Sequence, residues 1–175
     1  MAIFWTLQTE EGWNIALRRG YLEGNAAYAM YPEEYLWMME QMRRRLPRYN
    51  GEYPIWLWIE KPDMRSTGHF NSYTKCVRLT VELDERDVLI SDFYDWTSVL
   101  NNDFIAHNEQ EYNDFYAGKL SLSLEESWER IFDYPCPRDE GWDGTHLWLQ
   151  GVTGRVYLEQ VKKVEHFVSR KQGVI

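Results

Sequence analysis

The first patterned stretch is Ile3 to Gln8, where the mostly apolar run IFWTLQ reads as a short strand. Thr9 follows as an N-cap, with Glu10 and Glu11 in the first helical turn, where negative charge is favoured. Trp13, Ala16 and Leu17 recur at i, i+3 and i+4, the apolar stripe of a helix that Arg18, Arg19 and Gly20 close. Residues 21 to 31 contain Gly24 and Asn25 and predict a loop. Pro32, Glu33 and Glu34 open a second helix, with Tyr35, Met38, Met39, Met42 and Leu46 on one face and Pro47 as its stop. A methionine stripe can form an adaptable binding face, but core packing is its commoner use.

Further along, residues 53 to 60 place Ile55, Leu57 and Ile59 against Trp56 and Trp58, so both faces are apolar, as in a central covered strand. Residues 60 to 75 have no periodicity and concentrate Asp63, Arg65, Ser66, Thr67 and His69, which predicts a mobile or functional loop. Val77, Leu79, Val81 and Leu83 then alternate with Arg78, Thr80 and Glu82. The charged residues 84 to 87 lead into Val88, Leu89 and Ile90, and the two runs predict an antiparallel hairpin at the sheet centre. Residues 102 to 119, rich in tyrosine, read as a loosely helical or irregular excursion, and Ser123 with Glu126 as a capping box. In that next helix Leu124, Trp128, Ile131 and Phe132 give the apolar face. Pro135, Cys136 and Pro137 break the chain, with a turn around Gly141 and Gly144. Residues 146 to 150 predict a strand, 157 to 161 a helical turn and 163 to 168 a closing strand. The expected fold is α+β, one domain over residues 1–175 with a mixed or antiparallel sheet packed with helices.

Composition changes this picture in two ways. Nine Trp and twelve Tyr imply a core and shallow clefts built from rings, or a ring-lined groove. A formal charge of −9 argues against a nucleic-acid polymer or an anionic membrane as partner, since both need a positive surface. The run Arg43 to Arg45 falls at a helix end, where cations complement the dipole. The chain has no apolar run of membrane-spanning length, no signal-peptide pattern and only Cys76 and Cys136, far apart; these suit a reducing cytoplasm.

Candidate chemistry is sparse. His69, His107, His146 and His166 are scattered, without the short spacings of a metal site. No nucleophile elbow, P-loop or dinucleotide fingerprint occurs, and the paired glutamates open helices. The polar positions beside the most apolar strands suggest a small-molecule or nucleotide site. Arg65 or Arg78 would clamp an anionic group, and His69 would act as acid or base. Ser91, Asp92, Asp95 and Trp96 would complete it at the end of a buried strand, although Ser91 and Asp92 are also good helix caps. The competing expectation is a non-catalytic domain that binds a protein partner through the tyrosine-rich 103–116 segment.

Several segments together resemble a bacterial family of uncharacterised domains. They are Trp5 to Gln8 (WTLQ), Pro54 to Trp58 (PIWLW), Pro62 to His69 (PDMRSTGH), Arg78 to Glu82 (RLTVE), Leu89 to Asn101 and Ser127 to Asp133 (SWERIFD). The chain departs from that pattern at Thr97, where many relatives have His, so no role for that His carries over. The resemblance implies no established activity. The order of features is also similar to small ADP-ribosyltransferase-type domains, and implies that fold with Ser91 and Gln150 as pocket candidates; Gln8, at the end of the first strand, is a further binding candidate. In those enzymes a Gln-x-Glu pattern near the C-terminus supplies a catalytic carboxylate. Here the sequence is Gln150-Gly151-Val152, so the carboxylate is missing. Whether the chain is an enzyme, and with what cofactor, stays open at this level.

Overall fold

The computed structural model describes residues 1–134, 138, 139, 142 and 147–172. It is an α+β fold. Its strands are β1 (Ala2–Thr9), β2 (Tyr21–Leu22), β3 (Ile55–Trp58), β4 (Lys75–Leu83), β5 (Leu89–Asp92), β6 (Leu149–Thr153), β7 (Val156–Tyr157) and β8 (Val161–Val168). Its helices are α1 (Glu10–Arg19), α2 (Pro32–Arg45), α3 (Phe93–Leu100), α4 (Glu109–Tyr116) and α5 (Leu124–Trp128). Six strands form one sheet in the order β5-β6-β3-β1-β4-β8, and β2 pairs with β7. The β1–β3, β1–β4, β4–β8 and β2–β7 pairings are antiparallel.

Contacts group the chain into two compact units. The first comprises residues 1–30, 35–89 and 151–175, and the second residues 31–34 and 90–150. In the first unit β1 and β4 pair along their whole length, from Ala2 opposite Leu83 to Thr9 opposite Cys76. Phe4 and Thr6 from β1 are buried, as are Val77, Leu79 and Val81 from β4. At the end of β1 the Thr9 hydroxyl accepts the Gly12 N–H at 3.1 Å and starts α1 without a connecting loop. Gly20 ends α1 in the left-handed conformation (φ 94°), donating to the Ala16 carbonyl at 2.8 Å; a side chain is disfavoured there. Trp13 and Ala16 point inward as expected, whereas Leu17 is half exposed. The inward stripe of this ten-residue helix is thus narrower than its sequence suggests.

One expectation is corrected here and two are refined. Residues 77–83 and 88–90 do not form a hairpin: β4 lies between β1 and β8, and β5 is at the other edge of the sheet, beside β6. The reason is local. Asp84 accepts the Arg86 N–H and caps a 3-10 turn over Glu85–Asp87, which turns the chain away instead of reversing it through the positive φ angles of a tight hairpin. The excursion at 102–119 contains a true helix, α4, capped by the Asn108 side chain on Glu111 N–H. The strand expected over 146–150 begins instead at Leu149 and continues to Thr153; His146, like the breaker at 135–137 and the Gly141–Gly144 turn, lies outside the described residues.

In the second unit, Trp96 and Val99 from α3 and Trp128 and Ile131 from α5 and the turn after it are buried. Ser123 and Glu126 make the reciprocal capping box, at 3.1 and 2.7 Å. Trp128 donates its indole N–H to the Asp103 carbonyl at 2.9 Å, and Arg130 reaches the Ile105 carbonyl and the Glu111 carboxylate. No helix among the described residues is long and apolar enough to cross a membrane.

Candidate functional site

A concavity with a largely apolar lining lies in the first unit, where β1 hands over to α1. It has a volume of about 440 Å³. Leu7, Gln8 and Thr9 form one wall, and α1 forms the next through Glu11, Gly12, Ile15 and Arg19. These helix positions are spaced i, i+1, i+4 and i+8, one continuous face. The segment from Leu22 to Tyr28 closes the far side, with Phe70 at the end of the loop between β3 and β4. Ile15 and Tyr28 are apolar walls left open, at 37% and 79% exposed.

Backbone geometry holds the cavity open. Gly24 donates to the Tyr53 carbonyl at 3.0 Å, and an added Cβ would stand 2.4 Å from the Pro54 carbonyl oxygen. The Asn25 side chain accepts the Ala27 N–H at 2.9 Å and shapes a short 3-10 turn ending at Tyr28. Phe70 is placed by the C-terminal end of the chain: the Gln172 side chain donates to the Phe70 carbonyl at 2.8 Å, and Ser169 and Thr74 exchange hydrogen bonds nearby. The expected loop over 60–75 is therefore irregular but pinned.

Charges around this cavity are unevenly satisfied. Glu23 is paired with Arg155 through two hydrogen bonds at 3.0 and 2.8 Å. Arg19 donates to the Tyr21 and Glu23 carbonyls and lies 4.5 Å over the Tyr21 ring, but has no carboxylate partner among the described residues. Glu11 has no cationic partner among them either. Gln8 donates its amide N–H to the Thr6 hydroxyl at 3.0 Å, leaving Oε1 available as an acceptor. A second cleft, about 230 Å³ between Arg48, Tyr49, Glu52 and Arg155, is neutralised internally. Arg48 meets Asp84 and Asp87 at 2.9 and 2.7 Å, and burial pushes the Tyr49 hydroxyl up to about 12.

Of the nine residues singled out from sequence, Gln8 lines the cavity. Arg65 is exposed and folds back on Asp63, whose carboxyl its side-chain hydrogen bonds hold at about 2. His69 meets the edge of the Trp58 ring at 5.9 Å, and burial lowers its pKa. Arg78 is buried: it donates to Glu165 at 3.1 and 3.0 Å and to the Pro62 carbonyl at 2.5 Å. Lys163, and after it Arg78, keep the Glu165 carboxyl below its ordinary value against the opposing effect of burial. The guanidinium foreseen as an anion clamp is already committed.

The other five share the second unit. Ser91 and Gln150 come together, amide to hydroxyl at 3.4 Å, and both are buried. Asp95 pairs with Arg138, and Trp96 is core. Asp92 caps α3 through Asp95 N–H at 3.0 Å and accepts the Trp148 N–H at 3.3 Å. Helix capping thus accounts for it. Replacing Asp92 by Ala is expected to cost about 2 kcal/mol in urea unfolding, while Asp92→Asn, which keeps one cap acceptor, costs about half that. Equal stability of the two variants would count against the cap.

The tyrosine-rich segment is tied together by its own contacts, although no residue of α4 is buried and Tyr116 is 55% exposed. Asp103 accepts the Tyr112 and Tyr116 hydroxyls at 3.0 and 2.7 Å, and Phe104 stacks on Phe115 at 4.1 Å. Burial and then the Asp103 bond push Tyr116 up to about 12. Among the described residues no group of three or more His, Cys, Asp or Glu side chains is arranged to hold a metal ion.

Sequence reading missed Glu11, Ile15, Arg19, Tyr28 and Phe70. One signal was available: on α1 the i, i+4, i+8 stripe beside the buried Trp13 and Ala16 carries an isoleucine between two opposite charges. Comparison with curated proteins and with solved structures returns no match. Residues 3–119, two-thirds of the chain and all of the cavity's lining, match the family described as a domain of unknown function, DUF3841, and the protein belongs to that family.

Proposed function

We propose that this protein is a small-molecule-binding domain whose ligand occupies the cavity between β1, α1 and the Leu22–Tyr28 segment. The observation that carries the reading is a concavity of about 440 Å³ with apolar walls and, at its ends, Glu11 and Arg19, charges that have no ion-pair partner among the described residues. That size is within the usual range of ligand pockets, and a few polar groups on an apolar lining are what orient a bound molecule. Its lining falls wholly within the part of the chain that matches the family.

The reading is of binding rather than catalysis. Val152, where an ADP-ribosyltransferase-type enzyme would carry its carboxylate, is fully buried, and the neighbouring Ser91–Gln150 pair is closed to solvent. A reducing, cytoplasmic setting belongs to the same proposal, since Cys76 is a buried free thiol.

Ile15→Trp tests it. Because Ile15 is 37% exposed at the cavity wall, the larger ring fills the space while the variant's own stability changes by about 0.5 kcal/mol or less. In a thermal-shift screen of nucleotides including NAD, amino acids, short peptides and sugars, a ligand at about 100 times its Kd stabilises wild type by about 2.7 kcal/mol. The same compound is expected to leave Ile15→Trp unshifted. If every stabilising compound acts equally on both proteins, the cavity is not the site.

A further inference from the structure

The face that α1 turns to the cavity carries a carboxylate, an aliphatic side chain and a guanidinium in line: Glu11, Ile15 and Arg19. Eight residues at 1.5 Å of rise separate the two charges by about 12 Å along the helix axis. Neither charge has an ion-pair partner among the described residues, whereas Glu23 in the same wall is neutralised by Arg155. Complementing the helix dipole does not require these two to face the cavity. Glu10 and Arg18 occupy the same end turns without lining this cavity; with Glu11 they border a neighbouring concavity, and Glu10 lies 3.9 Å from His166.

Gly12 adds a second element. A Cβ there would stand 3.2 Å from the Thr9 hydroxyl oxygen and 3.9 Å from Gln8 Oε1. Its absence leaves the Gln8 amide oxygen approachable next to Glu11, an acceptor placed for an N–H close to a bound cation. Between the charged ends the lining is Leu7, Ile15 and the rings of Tyr28 and Phe70.

Resting on the reading of this cavity as a ligand site, we infer that it takes an extended zwitterion with an apolar body, a short peptide with free termini. The ammonium group lies at Glu11 and Gln8, and the carboxylate at Arg19. An extended chain advances about 3.3–3.6 Å per residue, so three to four residues span the separation. Charge-assisted hydrogen bonds at both ends set its direction and its length.

Three probes test this by calorimetry and thermal shift: trileucine, N-acetyl-trileucine, which lacks the cation, and trileucine amide, which lacks the anion. Wild type is expected to bind trileucine about tenfold more tightly than either blocked form, a preference of about 1.4 kcal/mol. Glu11→Gln should erase the preference over the acetylated probe and keep that over the amide. Arg19→Gln should do the reverse. Absence of trileucine binding, equal binding of the three probes, or variants that retain both preferences overturns the inference. A screen that yields some other Ile15→Trp-sensitive ligand, indifferent to Glu11→Gln and Arg19→Gln, overturns this inference and leaves the cavity reading standing. If no ligand is sensitive to Ile15→Trp, both fall.

Discussion

Arg78→Ala is expected to lower the thermal unfolding midpoint by roughly 6–12 °C, the equivalent of about 3 kcal/mol for a chain of this size. The guanidinium sits in the middle of β4, 8% exposed, with Glu165 on the paired strand β8 and the Pro62 carbonyl as acceptors. It also lies 5.1 Å over the Phe167 ring. Truncation leaves a buried carbonyl without its donor and a partly buried carboxylate short of one cation, and both cost stability. Lys163, 3.0 Å from Glu165, limits the damage. Arg78→Met, which restores volume without charge, is expected to lose less than half as much, because a well-packed apolar replacement of a buried ion pair is often nearly neutral. Hydrogen exchange should show faster opening at residues 62–70 in the alanine variant, since Pro62 is one anchor of that loop. A loss under about 1 kcal/mol would show that Arg78 is not a structural anchor.

Gly24→Ala should combine a stability loss with a binding defect. The new methyl would meet two backbone oxygens, Pro54 at 2.4 Å and Tyr53 at 2.9 Å, neither of which can rotate away. The Leu22–Tyr28 segment must therefore move, stretching the Gly24–Tyr53 hydrogen bond, at a cost of about 2–3 kcal/mol by chemical denaturation. Because this segment is one wall of the cavity, any ligand found by the screen should bind at least about tenfold more weakly. Ile15→Trp and Gly24→Ala then disturb the cavity from opposite sides by different means. Normal affinity in a Gly24→Ala protein that is measurably destabilised would remove this segment from the site.

Much of the local structure could be read directly. Thr9 as cap, Gly20 as terminator, Pro32 as an opening residue, the Ser123–Glu126 box and the irregular 60–74 stretch stand where the sequence places them. Each of these depends on groups within a few residues of one another. The candidate site was less legible. Arg65, His69 and Arg78 were grouped because they are polar and near one another along the chain, but the structure gives each a different partner. Ser91 and Gln150, fifty-nine residues apart, do meet, as a buried pair. The hairpin foreseen across Asp84–Asp87 failed because two adjacent alternating runs show that strands exist and not which strands pair.

The amino-acid sequence by itself determined the α+β class, the strand-to-helix opening at Thr9 and the caps, since these arise from short-range hydrogen bonds and side-chain periodicity. Tertiary structure alone decided that β4 lies between β1 and β8, that Arg78 is committed to Glu165, and that Glu11, Ile15 and Arg19 face Phe70 across a cavity. Those outcomes depend on which distant surfaces bury one another, and no spacing along a single chain encodes that choice on its own.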